Sequence, residues 1–356
     1  MIGLMSGSSL DGLDIAYTII ETGVEIKFKI VHAKTYAYDD AIKNYLRNIN
    51  ISKSDYSEEE NYFAEISATF VNQFIKEYQI QQIDFIASHG HTVYHYPEKK
   101  ATLQIGDGKV MSQLTKLTVI NNFRQKDMDA GGQGAPLVPV CDELFFNYYH
   151  ACLNIGGIAN ISFKKNEKRI GFDICGANQI LNACAAEVNL EFDKDGEIAG
   201  SGKADQELLY QLNSNSYFKM GFPKSLDNQF VRKNFTELIL HSGLIMADKL
   251  ATANFHIAEQ IANVIQRQQN TENISPSNYK LLVTGGGAKN NFLIQSIEKL
   301  ASIQIELPSE EIIDFKEALA IALMGVLRME NKPNFLTSVT GAEHAVSGGD
   351  IYLYKK

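Results

Sequence analysis

Residues 151–163 read A-C-L-N-I-G-G-I-A-N-I-S-F. Two apolar runs, 152–155 and 158–163, flank Gly156 and Gly157, and that pattern predicts a strand, a tight turn and a second strand. A further strand ending at Asp173 follows. The same grammar opens the chain, where residues 3–14 read G-L-M-S-G-S-S-L-D-G-L-D. Here a short apolar run meets a turn of small residues (Ser6, Gly7, Ser8, Ser9, Asp11, Gly12), and a second apolar run covers 13–20. The two units lie about 150 residues apart, roughly one domain length, which points to a duplicated, two-lobed design. A third glycine turn, Gly285, Gly286 and Gly287, follows the apolar run 281–283. It precedes Phe292, Leu293, Ile297 and Leu300, whose spacing predicts a helix with its N-terminus toward a ligand.

Outward from these turns, helical periodicity predicts helices over 62–78 and 247–268, with strands over 83–87 and 117–120 between them, hence an α/β protein. The polar stretch 268–278, which holds Pro276, reads as a surface loop. A chain of 356 residues, with 45% hydrophobic and 21% charged residues, suits two globular domains. Net charge is 33 − 42 = −9, which argues against nucleic acid or an anionic membrane as partner and leaves small molecules. The longest apolar run, 318–327, is about half of what a membrane span needs. The N-terminus has neither a basic segment nor an apolar core of leader type, so a cytoplasmic address is expected. Cys141, Cys152, Cys175 and Cys184 lack metal or redox spacing and read as buried free thiols.

Three glycine turns in one chain make a nucleotide the natural ligand, because glycine lets backbone N–H groups approach phosphate oxygens closely. None has P-loop or dinucleotide-fold spacing. Asp11 and Asp14 suit either Mg²⁺ held through water or a turn cap. Asp173 suits a general base, its ordinary pKa near 4 needing an upward shift, or a cap on the following helix. The run S-H-G-H-T-V-Y-H-Y-P at 88–97 carries His89, His91 and His95, which fit a substrate loop or a metal-dependent hydrolase. Arg124 suits a carboxylate or phosphate, or else an ion pair with Asp127 or Asp129. Gln133 sits between glycines in a loop that approaches something closely. Lys203 and Lys224 read as solvated charges. Glu317 opens the apolar run 318–327, either as a first-turn acid favoured by the helix dipole or as a cleft residue.

Seven segments in register resemble the anhydro-N-acetylmuramic acid kinase family: 3–14, 88–97, T-L-Q-I-G at 102–106, G-G-Q-G-A-P-L-V-P at 131–139, N-I-G-G-I-A-N at 154–160, G-G-G-A-K-N at 285–290 and V-T-G-A at 339–342. The resemblance implies two actin-like, RNase H-like lobes, residues 1–135 with 336–356 and residues 136–335, around a nucleotide cleft. It implies phosphorylation of O6 of 1,6-anhydro-N-acetylmuramic acid by Mg²⁺ and ATP while water opens the anhydro ring, in the recycling of murein. By the same resemblance Asp173 is the base and Glu317 lies near it. Gly7, Ser8, Ser9, Asp11, Gly12 and Asp14, with Gly156, Gly157 and Asn160, would hold the phosphates, and Gly285, Gly286, Gly287 and Asn290 the adenosine side. His89, Thr92, Arg124, Gln133 and Asn178 would meet the sugar, with Arg124 on the lactyl carboxylate and Mg²⁺ at Asp11. The family precedent allows a homodimer. Departures at Ile174, Cys175, Gly176, Ala177, Asn182, His91 and Asn122 leave a second reading open, a nucleotide or amino-sugar sensor that kept the fold and lost turnover.

Overall fold

The computed structural model describes residues 1–7, 9–222 and 224–354. The chain divides into two compact units, Met1–Phe145 with the segment from Phe315 onward, and Phe146–Asp314.

In the first unit β1 (Ile2–Ser6), β2 (Gly12–Glu21) and β3 (Lys27–Ala37) form an antiparallel meander. β4 (Ile86–Tyr96) then pairs parallel to β1, with β5 (Ala101–Ile105) antiparallel to β4 and β6 (Val119–Asn121) parallel to it. A last strand, Asp350–Tyr352, closes the edge against β6. Helix Ser57–Glu77 lays Phe63, Val71 and Phe74 on this sheet, against Ile15 and Ile86, all of them fully buried. Each such side chain contributes roughly 1.5–3 kcal/mol of burial free energy.

The second unit repeats the plan. β7 (Ala151–Ile155), β8 (Ile158–Lys165) and β9 (Lys168–Gly176) form the meander, and β10 (Leu281–Thr284) pairs parallel to β7. Both sheets therefore run third, second, first, fourth, the strand order of an actin-like lobe. Helix Met246–Glu272 supplies Ile257, Ile261 and Ile265 to the core over this sheet.

The resemblance set the lobe boundaries at 135/136 and 335/336, and both move. Helix Pro139–Phe145 stays with the first unit, where Asp142 pairs with Lys316 at 2.9 Å and the Phe145 ring packs tilted against Phe28. The chain re-enters that unit at Phe315, because helix Glu310–Met329 packs closely on its sheet: a Cβ on Gly3 would collide with the Ala318 carbonyl, and one on Gly325 would lie 2.6 Å from the Phe85 ring. Glu317 is thus in the middle of a helix that begins at Glu310, so the first-turn dipole role is excluded. The surface loop expected from 268 starts later. Gln268 and Gln269 are buried, and Gln268 donates to the His150 carbonyl and accepts from Tyr279, so the helix continues to Glu272. All four cysteines are buried.

Candidate active site

In the second unit the turn of Gly156 and Gly157 meets the turn of Gly285 to Gly287. Gly285 has φ +81°, and a side chain there would lie 2.6 Å from Asn154 Oδ1; one on Gly287 would collide with Ile155. Those two glycines are required by packing. Gly156, Gly157 and Gly286 are not: each has φ outside the left-handed region, and the nearest atoms to an added Cβ lie at 3.5, 3.8 and 3.6 Å. Backbone left bare where the protein has room for a side chain suits close approach by a ligand.

Asp173 stands inside β9, three residues short of the strand end expected for it. A bulge at Ile174 sets it opposite Asn160, which in turn faces Asn154, so the three polar side chains share one face beside the Gly156 turn. One carboxylate oxygen, Oδ2, accepts the Leu226 N–H at 2.9 Å; the Tyr217 hydroxyl donates to the Asp173 carbonyl at 2.6 Å, and the Asp173 N–H donates to the Lys224 carbonyl at 3.2 Å. Burial raises its pKa above the ordinary carboxylate value, opposed by the Leu226 N–H and then by the Lys224 ammonium. A cap role is excluded, since helix Asn178–Ala186 begins after Ala177. Lys224 is half-buried, with its ammonium 4.3 Å from the Tyr217 ring centroid. It is the functional neighbour that sequence reading missed: the contact spans 51 positions (224 − 173) and no local pattern announces it.

Two further assignments in this unit take on structural duties. Asn178 donates its side-chain amide to the Ile155 carbonyl at 3.1 Å and its N–H to Gly156 at 3.0 Å, so it staples the turn. Asn290 caps helix Asn291–Ala301 by accepting the Leu293 N–H at 3.0 Å, so its amide already satisfies the helix N-terminus. The altered residues Ile174, Cys175, Gly176 and Ala177 are core packing.

In the first unit the opening turn ends on Gly12, where a Cβ would collide with the Tyr36 carbonyl, while Gly7 has open room, its nearest neighbour at 3.6 Å. Ser8 lies outside the described residues. The Tyr38 hydroxyl donates to Ser6 at 2.8 Å, and Ser6 bonds His91 Nδ1 at 3.0 Å, anchoring the strand before the turn. Asp11 is exposed, and Asp14 accepts from Thr35 at 2.6 Å.

Arg124 donates to His89 and, at 3.1 Å, to the Gly134 carbonyl. His89 Nδ1 faces the Gly90 carbonyl at 3.0 Å, which fixes the proton there and leaves Nε2 as acceptor. His89 is therefore committed to Arg124, where a sugar contact was expected. Its pKa lies well below the ordinary value, by burial and then by the guanidinium charge. Ion pairs of Arg124 with Asp127 or Asp129 do not form: Asp127 accepts from Gly134 N–H and the Thr340 hydroxyl, and Asp129 from Gln125. Glu317 lies near enough for Arg124 and Lys316 to oppose the rise that burial gives its pKa. Gln133 is exposed, its N–H bonded to the Thr340 carbonyl. Thr92 sits on β4, 3.5 Å from the Gln104 amide. The candidates thus fall into two groups, one in each unit.

Two lobes of this strand order, with ligand-ready glycine turns at their strand ends, define the actin-like class of ATP-dependent sugar kinases and ATPases. Within that class the chain belongs to the anhydro-N-acetylmuramic acid kinase family, whose sequence profile matches residues 1–354, and it is a kinase. The anhydro-N-acetylmuramic acid kinase of Pasteurella multocida is 33% identical over 100% of this chain and 97% of its own. That of Haemophilus influenzae is 32% identical over 99% and 97%. Among solved structures, the activator of the 2-hydroxyisocaproyl-CoA dehydratase from Clostridium difficile with bound ADPNP matches at 12% identity and a TM-score of 0.47, covering 91% of this chain and 92% of that one.

Proposed function

We propose that this kinase transfers the γ-phosphoryl group of ATP to O6 of 1,6-anhydro-N-acetylmuramic acid while water adds at C1. The C1–O6 bond breaks, O6 takes the phosphorus, and the products are N-acetylmuramic acid 6-phosphate and ADP. The reaction serves murein recycling in the cytoplasm; among the described residues no helix is long and apolar enough to cross a membrane.

The observation that carries the reading is Asp173. Its Oδ2 is held by Leu226 N–H, it shares a sheet face with Asn160 beside a bare glycine turn, and burial lifts its pKa toward working range. Asp173 takes the proton of the attacking water, and that proton then passes to solvent. Gly7, Gly156, Gly157 and Gly286 bring backbone donors to the nucleotide, and Ser9 adds a hydroxyl. Arg124, held in place by His89, takes the lactyl carboxylate as a fork, with Glu317 near it.

Among the described residues no three His, Cys, Asp or Glu side chains gather into a metal cage. Mg²⁺ keeps waters and phosphate oxygens and needs only one or two carboxylates; exposed Asp11, with Asp14 three residues further on, would hold it. When bound, Mg²⁺ neutralises charge on the transferring phosphoryl group.

Replacing Asp173 with Asn tests the assignment. Turnover should fall at least about 10³-fold while ATP binding, read by calorimetry, stays within about twofold. Retention of full turnover removes Asp173 as the base.

A further inference from the structure

Behind the Asp173 strand the second unit holds a pocket of about 180 Å³ between the β8–β9 hairpin and helix Met246–Glu272. Its walls are apolar, built on Phe163, Phe172, Phe222 and Val264, with the Phe172 and Phe222 rings parallel to within 9° at 5.7 Å. Its charged groups are Lys165, Lys224 and Arg267 against one carboxylate, Glu272, which is exposed. Among the described residues no acid forms an ion pair with any of the three cations. Two of the ammonium groups rest on aromatic faces: Lys165 lies 4.6 Å from the Phe222 centroid, and Lys224 lies 5.7 Å from that of Phe172.

The chemistry of such a site suits an anion. Three cations around one apolar recess repel one another, and Arg267 is close enough to help push the Lys224 pKa down. A phosphate or carboxylate placed among them relieves that repulsion and gains charge-assisted hydrogen bonds, while the phenyl faces accept the C–H face of a sugar ring. The volume admits one ring with its charged substituent.

From this juxtaposition we infer that the pocket is a binding site for a small sugar acid or sugar phosphate, separate from the residues assigned to turnover except where Lys224 borders both. The inference rests on the pocket's chemistry alone and holds or fails independently of the sugar that the kinase phosphorylates. Occupancy draws the Lys224 ammonium toward the ligand and away from Asp173, so the site reports to the base.

Calorimetric titration of the full chain tests it, with N-acetylglucosamine 6-phosphate, N-acetylmuramic acid and neutral N-acetylglucosamine as probes, on wild type and on the double variant Lys165→Gln, Arg267→Gln. The phosphate probe, the carboxylate probe, or both should bind wild type at least tenfold more tightly than the neutral sugar, and lose at least tenfold in the double variant. Which of the two binds identifies the source of the anion. The double variant alters exposed side chains outside the reaction groups and should keep wild-type turnover, which shows that it is folded. Equal anion binding by the two proteins, or no anion binding to wild type at millimolar concentration, overturns the inference.

Discussion

Arg124 reaches a single acceptor, Nε2 of His89, with both Nε at 3.1 Å and a terminal nitrogen at 2.8 Å. Its other terminal nitrogen holds the Gly134 carbonyl, so the plane of the guanidinium is fixed before any ligand arrives. Burial lowers its pKa to about 10, still a cation at neutral pH. His89→Ala should therefore raise KM for the sugar about 10- to 100-fold, the worth of a charge-assisted hydrogen bond, with KM for ATP unchanged. His89→Gln, which keeps an acceptor, should recover part of the loss. Because His89 is held neutral far below pH 6.5, it should add no inflection to the sugar KM between pH 8 and about 6. A parallel rise in both KM values, with melting temperature unchanged, contradicts the role given to this pair.

Lys224 offers a prediction in pH. Its ammonium favours the Asp173 carboxylate, so Lys224→Met should raise the pKa of the base, leaving more of it protonated at any acidic pH. The acidic limb of the kcat profile should move upward in pH, so that rate falls on that limb and changes little near pH 8. Lys224→Arg should hold the limb near its wild-type position. Facing Asp173 as well are Tyr217 and Cys175, whose own pKa values burial pushes upward, so both stay neutral through this range. An unmoved limb in the Met variant removes Lys224 from the account.

The glycines separate ligand contact from packing. Gly156→Ala and Gly157→Ala have room for the new methyl, so melting temperature should hold while ATP affinity or kcat falls about tenfold. Gly287→Ala meets Ile155 and should cost about 1–3 kcal/mol of stability, read by urea unfolding. If the first two variants bind ATP and turn over like wild type, those turns do not hold phosphates.

Much of this was legible in the chain itself. Gly156 and Gly157 between apolar runs announce their hairpin, because period-two burial and a turn residue are local signals. The duplicate at Gly7 repeats the same local pattern, and the alternation of helices and strands marks the α/β class. Glu317 misled, since the apolar run beginning at Ala318 hides the preceding amphipathic turn from Glu310 that the same helix uses. Asn290 and Asn178 stand in ligand-like motifs, yet their amides are taken by a helix cap and a turn carbonyl, partners set by backbone geometry. Lys224 and the pairing of Arg124 with His89 are tertiary contacts across long stretches of chain, and spacing carries no trace of them.

The central claim is a single reaction in which ring opening by water and phosphorylation are one event. Incubating the protein with Mg²⁺, ATP and 1,6-anhydro-N-acetylmuramic acid in ¹⁸O-labelled water, then weighing the sugar by mass spectrometry, tests it directly. The account predicts a product carrying both one phosphate and one ¹⁸O atom. A phosphosugar that retains the anhydro ring without label, or labelled sugar without phosphate, contradicts it.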